Sequence, residues 1–208
     1  MGIMDRTFLV RFLKKEDFDA IVKLGDKIVG KHYTSRKELE DILKRSTKDG
    51  VNCSFTLSIN EGDGAGERLI GFRLTCAPGQ WVDSYSRELS RQDWGFDPEK
   101  VAYLKSNMIE EEFRGRGFGR MLLDYTVAAA KRAGADAGVA QVWMNSPGNS
   151  AFKYFTRAGG RLIKIYPAYW ADLHDTDALC SHCGAVCNCP AAEMIIDFST
   201  YKEIEHNV

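Results

Sequence analysis

Two short stretches hold residue types whose spacing could do chemistry. The first, LHDTDALCSHCGAVCNCP, carries Cys180, Cys183, Cys187 and Cys189, with His174 and His182 among them. C-x-x-C followed by C-x-C places four thiols in one short loop. Three chemistries suit such a set: a tetrahedral zinc ion, which four thiolates satisfy with no open position; an iron–sulfur cluster; or free, reversibly oxidised thiols. The three residues between Cys183 and Cys187 are few for a chain that must wrap an ion. The second stretch, EFRGRGFGR at 112–120, interleaves three glycines with arginines. Glycine costs conformational entropy wherever the chain is ordered, so a cluster of it suits close approach of backbone to a ligand.

That glycine cluster is placed between a strand and a helix. VAYLKSNMI (101–109) is strand-like, and RMLLDYTVAAAKRA (120–133) has a helical apolar face and Gly134 at its end. A glycine turn at a helix N-terminus presents consecutive amides to an anion. The helix dipole adds about half a positive charge there, and Arg114, Arg116 and Arg120 add whole ones. A pyrophosphate is the expected guest. A Walker loop is excluded, because Gly119 is followed by Arg120 and Met121. A Rossmann fingerprint starting at Gly115 would need its third glycine where Arg120 stands. A solvated, glycine-rich surface turn is the alternative.

The elements that position these stretches follow in order. Residues 6–13 read as a strand, and Phe18, Ile21, Val22, Leu24 and Ile28 fall at helical spacing before Gly30. Ser35 with Glu38 makes a capping box for a second helix. Segments 51–59 and 69–77 form an expected hairpin, and 78–99 is irregular and rich in Trp and Tyr. Beyond the central helix come a strand at 139–144, a short helix at 150–158, and strands at 161–166 and 193–198. The cysteine stretch is an insertion at about 171–192. No repeat or linker divides the chain, so residues 1–208 are expected to form a single mixed α/β domain. Cys53 and Cys76, on expected strands, read as small buried hydrophobes.

Composition narrows the function classes. Apolar residues make up 44% and charged residues 27%, with a net charge of −1. That balance gives no basic face for nucleic acid and no reason for a membrane partner. The opening stretch meets Arg11 and then Lys14–Lys15 too soon for a secretory signal, so a cytoplasmic protein is expected, with its thiols reduced or metal-bound.

Arg114-Gly115-Arg116-Gly117-Phe118-Gly119 resembles the Arg/Gln-x-x-Gly-x-Gly/Ala signature of the GCN5-related N-acetyltransferase (GNAT) superfamily. VRFLKKEDFDAIVKL is similar to that family's first strand and helix, and RLIGFRLT to its third strand. NMIEEEFRGRGFGRMLLDYTVAAAKRAGA resembles its strand–loop–helix core, and VWMNSPGNSAFKYFTRAGG the strand and helix that follow. The likeness runs from residue 6 to 198 and leaves out the cysteine insertion.

The resemblance implies an α/β (α+β) fold with a mostly antiparallel sheet whose fourth and fifth strands splay apart. It implies acetyl-CoA as cosubstrate, with its pyrophosphate on the amides from Arg114 to Arg120 and its pantetheine arm along the main chain of Met108 and Ile109. It also implies Ile109 N–H as donor to the reacting carbonyl, and contacts to the cofactor from Asn149 and Phe155. Asn149 is equally well read as a helix cap. Phe155 stands where many relatives carry an acidic tyrosine, which leaves Tyr154, Tyr166, Tyr169 or water to protonate the leaving thiolate. Candidate bases are Glu110, Glu111, Asp83 and His174.

Asp172, Asp175 and Asp177 favour a cationic acceptor, a small-molecule or peptide amine, and Trp81, Trp94, Tyr169 and Trp170 offer an aromatic lining. Family members are frequently dimers, which makes a homodimer an expectation from resemblance alone. A non-catalytic acyl-CoA-binding module and a nucleotide-binding regulator remain as rival functions.

Overall fold

Alternation of apolar and polar residues builds the first edge of a sheet. In β1 (Thr7–Phe12) Leu9 is exposed while Phe8 and Val10 pack inward; Phe12, on the same side as those two, packs on Phe55 at 4.9 Å but stays half-exposed at the sheet edge. The computed structural model describes residues 6–60, 62, 66–84, 89–171, 180–184 and 187–204. Helices α1 (Phe18–Ile28) and α2 (Arg36–Arg45) follow, the second capped by Ser35, whose side chain accepts from the Glu38 amide as the sequence implies. A two-residue hairpin, β2 (Thr47–Lys48) and β3 (Val51–Asn52), precedes β4 (Phe55–Asn60) and β5 (Glu67–Cys76). The expected strand at 51–59 is therefore interrupted, at Cys53 and Ser54.

The remaining elements are β6 (Val101–Ile109), α3 (Phe118–Arg132), β7 (Ala137–Trp143), α4 (Ser150–Arg157), β8 (Arg161–Tyr166) and β9 (Ala191–Asp197). The main sheet runs β1-β4-β5-β6-β7-β9-β8, and β6–β7 is the parallel pair in an otherwise antiparallel array. Helices α3 and α4 cover one face around Leu57, Leu104, Leu122, Val127 and Met194. Helices α1 and α2 cover the other face over Phe72 and Leu74, and the 77–100 segment extends that cover with Trp81 and Trp94. Burying each such side chain contributes about 1.5–3 kcal/mol, so the two layers fix the sheet from both sides. Cys53 and Cys76 are buried, and burial pushes their thiols up to about 12 and about 11. They are packing residues. No helix among the described residues is long and apolar enough to cross a membrane.

Candidate active site

The site begins where β6 and β7 part. They pair at three positions, Val101, Ala102 and Tyr103 against Ala137, Gly138 and Val139, although β6 runs on to Ile109 and β7 to Trp143. The separation has a local cause. Between Tyr103 and Ser106 the β5–β6 register gains a residue on β6, since Cys76 faces Tyr103 but Leu74 faces Ser106. Such a bulge bends its strand and reverses its alternation. Before it Tyr103 packs on the α1/α2 face; after it Asn107 and Ile109 turn to the α3/α4 face and Met108 packs among the α1/α2 cluster. The expected splay of the family's fourth and fifth strands is thus present.

Main-chain direction in the gap follows from one hydrogen bond. Glu110 N–H donates to Ile70 C=O on β5 at 2.8 Å. Successive residues of an antiparallel strand point their amides to opposite sides. Met108 therefore turns its N–H and C=O to β5, while Ile109 and Asn107 turn theirs to the gap. The main chain of Met108, which the sequence reading put beside the gap, is thus turned to β5, and Asn107 and Ile109 are the residues whose main chain faces the gap. Gly71 stands opposite Ile109, and a Cβ there would lie 2.6 Å from Ile109 Cδ1 and 3.0 Å from Met108 C=O, so a larger residue would push on β6 beside the gap.

Above the open end of the gap lies the glycine turn. Phe113 and Phe118 are buried on either side of it and pack against Phe8, with ring centroids 6.2 and 4.6 Å away, which anchors an otherwise exposed loop. Gly115 and Gly117 have φ of 76° and 84°, the left-handed region that glycine enters without strain. Gly117 is the N-cap of α3 with no side chain capping the helix, so the first-turn amides of Phe118, Gly119 and Arg120 stay without a helical partner. The Arg114 amide, by contrast, donates to Glu111 C=O at 3.1 Å. The donor run therefore starts at Gly115, one residue later than the sequence suggests.

The arginines are also redistributed. Arg114 Nε donates to Ile109 C=O at 3.0 Å, and Arg116 lies over the Phe113 ring at 5.3 Å. Arg120 turns back to Asp124 at 3.0 Å and over Tyr201 at 4.7 Å, away from the turn.

Beneath the turn is a buried polar floor. Arg73, 0% exposed, stands opposite Asn107 on the same face. Its Nη1 donates to Tyr154 Oη at 3.2 Å, while Nε and Nη2 find no acceptor among the described residues. The Tyr154 hydroxyl donates to Gly119 C=O at 2.9 Å, and burial pushes its pKa up. Asn107 Oδ1 and Asn149 Oδ1 are likewise buried without a partner. Unsatisfied buried polar atoms are rare and costly, and those of Arg73 and Asn107, at facing positions beside the gap, mark a place for a polar ligand.

The capping reading of Asn149 is corrected. Ser146 Oγ accepts the Ala151 amide at 3.0 Å, and Asn149, at φ 54°, caps nothing with its side chain. Phe155 is buried next to Arg73, 5.9 Å from its guanidinium. Phe155 offers no hydroxyl, and that of its neighbour Tyr154 is in contact with the first turn of α3. Gly119 serves packing: a Cβ would sit 3.2 Å from Asn107 Nδ2 and 3.7 Å from Tyr154.

On the opposite face, several sequence candidates fall away. Glu110 is committed to ion pairs with Lys27, at 2.8 Å, and Arg68. Burial raises its carboxyl pKa, but the hydrogen bonds from those cations outweigh it and hold the group below the usual range, which suits a fixed anion rather than a base. Glu111 and Asp83 are exposed, and His174, Asp172, Asp175 and Asp177 lie outside the described residues. Trp81 and Trp94 are core, not lining: their indoles donate to Val101 C=O and Glu193. Tyr169 packs edge-on against Trp170 at 4.6 Å and near Tyr166 at 5.8 Å.

The group the sequence hid is Glu193. It is 0% exposed, and its carboxylate accepts from Tyr166 Oη at 2.8 Å, Ser90 N–H at 3.1 Å and the Trp94 indole. In EMIIDF it reads as the polar start of a strand; only the register, Glu193 opposite Gln141 of β7, puts it one strand from the gap.

At the free end of β7 the four cysteines converge. The sulfurs of Cys180, Cys183, Cys187 and Cys189 all lie within 4.8 Å of one another, against Trp143 and Trp170. Gly184, directly after Cys183, has a φ of 69°, and its amide donates to Cys180 C=O at 2.8 Å, which closes a tight turn around the first two cysteines.

A family model for the Acetyltransferase (GNAT) family matches residues 34–159, and the chain belongs to that family. No curated protein matches it significantly. Among solved structures, Arabidopsis thaliana NAA60 in complex with a bisubstrate analogue is similar at 14% identity and a TM-score of 0.64, over 92% of this chain and 98% of that one. The ribosomal-protein-S18-alanine N-acetyltransferase of Escherichia coli aligns at 14% identity and TM-score 0.59 over 96% and 99%. Chaetomium thermophilum Naa20 with a bisubstrate analogue aligns at 18% and 0.59 over 96% and 93%. At these identities the likeness shows the fold.

Proposed function

We propose that this protein is an N-acetyltransferase that moves an acetyl group from acetyl-CoA to a primary amine, of a small molecule or a peptide, by direct attack in a ternary complex. The observation that carries the reading is the β6–β7 gap: roofed by an uncapped glycine turn and floored by the unpartnered Arg73 and Asn107 groups, it fits an elongated ligand bearing a diphosphate at one end. The amides from Gly115 to Arg120 would hold the diphosphate, and those of Ile109 and Asn107 would line the arm. The thioester supplies an acyl carbon already activated toward a neutral amine. The N–H groups of Ile109 and Asn107, both turned to the gap, are the candidate donors to the reacting carbonyl.

The proton from the amine needs an acceptor on the α1/α2 face. We assign it to Glu193 acting through Tyr166, a buried carboxylate one hydrogen bond behind a half-buried hydroxyl. Tyr154 is assigned to holding α4 against α3, since its hydroxyl proton is already donated to Gly119 C=O.

The reading is tested by thiol release from acetyl-CoA across a panel of peptide α-amines, lysine side chains and polyamines. Turnover with at least one class supports it. Tight CoA binding with no release for any amine identifies a non-catalytic acyl-CoA module instead; protection of the fold by ATP or NAD but not by CoA identifies a nucleotide-binding regulator. Glu193→Gln is expected to lower kcat about 10²-fold, the scale of a lost general base, while the Kd for CoA stays within about twofold of wild type. An unchanged kcat would remove Glu193 from the chemistry.

A further inference from the structure

We propose that Cys180, Cys183, Cys187 and Cys189 hold one zinc ion, and that this ion pins residues 180–184 and 187–190 against the end of β7, forming a wall of the acceptor side of the gap. Distances separate this from the other thiol chemistries. A tetrahedral ion with Zn–S bonds of about 2.3 Å sets its sulfurs about 3.8 Å apart. Cys180 and Cys189 sulfurs are 3.9 Å apart, Cys183 and Cys189 are 3.5 Å apart, and no pair exceeds 4.8 Å. A disulfide would bring two of them to about 2.05 Å, yet all four are free thiols. An iron–sulfur cluster spreads its cysteines over several irons bridged by sulfide, which a set this tight leaves no room for.

Trp143 and Trp170 pack against the cysteine cluster. Cys180, Cys187 and Cys189 are buried, and Cys183 is half-buried.

Four protein ligands also close the coordination sphere, so the ion takes no part in acyl transfer. Its effect is positional. Trp143 is the last residue of β7, at the open end of the gap, and Met144 N–H reaches Pro190 C=O at 3.2 Å. Trp170, which packs on the thiols, carries Tyr169 and through it Tyr166. Loss of the ion should therefore loosen the acceptor wall and leave the glycine turn, built on β6 and α3, intact.

The test uses the full chain purified without added metal. Elemental analysis is expected to find about one zinc per chain. Exchange for Co²⁺ should give the visible absorption of a tetrahedral thiolate site. Chelation should release the zinc, expose four additional thiols to a thiol reagent and lower the thermal midpoint by several degrees, with the Kd for CoA changed less than twofold. Cys183→Ser and Cys187→Ser should each lose most of the metal; where a variant does not fold, the chelated wild-type chain gives the same readouts.

The assignment is overturned by a chain with no metal, by iron with inorganic sulfide, by mapped disulfides among the four cysteines, or by a midpoint indifferent to chelation. A CoA affinity that falls tenfold or more with the zinc would overturn its placement at the acceptor wall. None of these readouts needs catalytic activity, so the zinc site and the acetyltransferase reading can fail separately. If activity is found, the zinc-free chain should show a raised KM for the amine at an unchanged KM for acetyl-CoA.

Discussion

Gly117→Asn is expected to leave the fold nearly as stable as wild type and yet weaken CoA binding at least tenfold, while Gly117→Val should do the same to binding and also cost about 1–2 kcal/mol of stability. The two variants separate backbone from ligand effects. Gly117 sits at φ 84°, where asparagine is tolerated and a β-branched residue is not. Its surroundings are open: a Cβ added there meets nothing within 4 Å. A side chain at 117 therefore obstructs nothing in the ligand-free protein. What it does obstruct is the space above the amides of the first turn of α3, where a diphosphate would lie. Isothermal titration with CoA and thermal unfolding of both variants check this. If Gly117→Asn bound CoA as wild type does, the turn would be a surface feature and the cofactor site would have to be sought elsewhere.

Local patterns explain why the turn and its strand were legible in the sequence. The strand 101–109 and the helix start near 118–120 follow from periodicity, glycine placement and the change of composition between them. Ser35 with Glu38 is a signal contained in four residues, and its hydrogen bond is present. What sequence could not show depended on register. The bulge before Ser106 decides whether Met108 or Asn107 faces the gap, and nothing within residues 101–109 announces it. Trp81 and Trp94 sit in an irregular segment that looks like a loop, but each finds a buried acceptor for its indole and becomes core. Glu193 acquires its setting from Ser90, Trp94 and Tyr166, which arrive from up to 103 residues away. The four cysteines are a different case: their nearness in sequence drew attention to them, but the short Cys183–Cys187 spacing spoke against one shared centre, and only the structure brings all four sulfurs together.

Arg73→Met is expected to change two properties in opposite directions: a higher thermal midpoint for the ligand-free protein and a weaker affinity for CoA. Arginine inside a strand of this sheet would ordinarily be paired with a carboxylate, and a buried cation lacking one is strongly unfavourable. Here the partners among the described residues are a neutral hydroxyl at 3.2 Å and the face of Phe155. Its Nε and Nη2 remain unpaired next to the equally unpaired Asn107 Oδ1. The positive end of α3 lies directly over them, because Tyr154 joins Arg73 to Gly119 of its first turn. Two positive features therefore face each other until an oxygen-rich ligand enters the gap.

Methionine has a similar length and no charge, so removing the guanidinium relieves that strain in the free protein. For a chain of this size each kcal/mol gained raises the midpoint by roughly 2–4 °C. In the complex the same substitution removes charge-assisted hydrogen bonds, each contributing about 1.5–3 kcal/mol, or a loss of about 10–150-fold in affinity. A purely structural arginine predicts the reverse pattern, a lower midpoint with CoA affinity preserved among molecules that fold. Scanning calorimetry and CoA titration on the same preparation decide between them, and a fall in both quantities together would mean that Arg73 holds the sheet rather than the ligand.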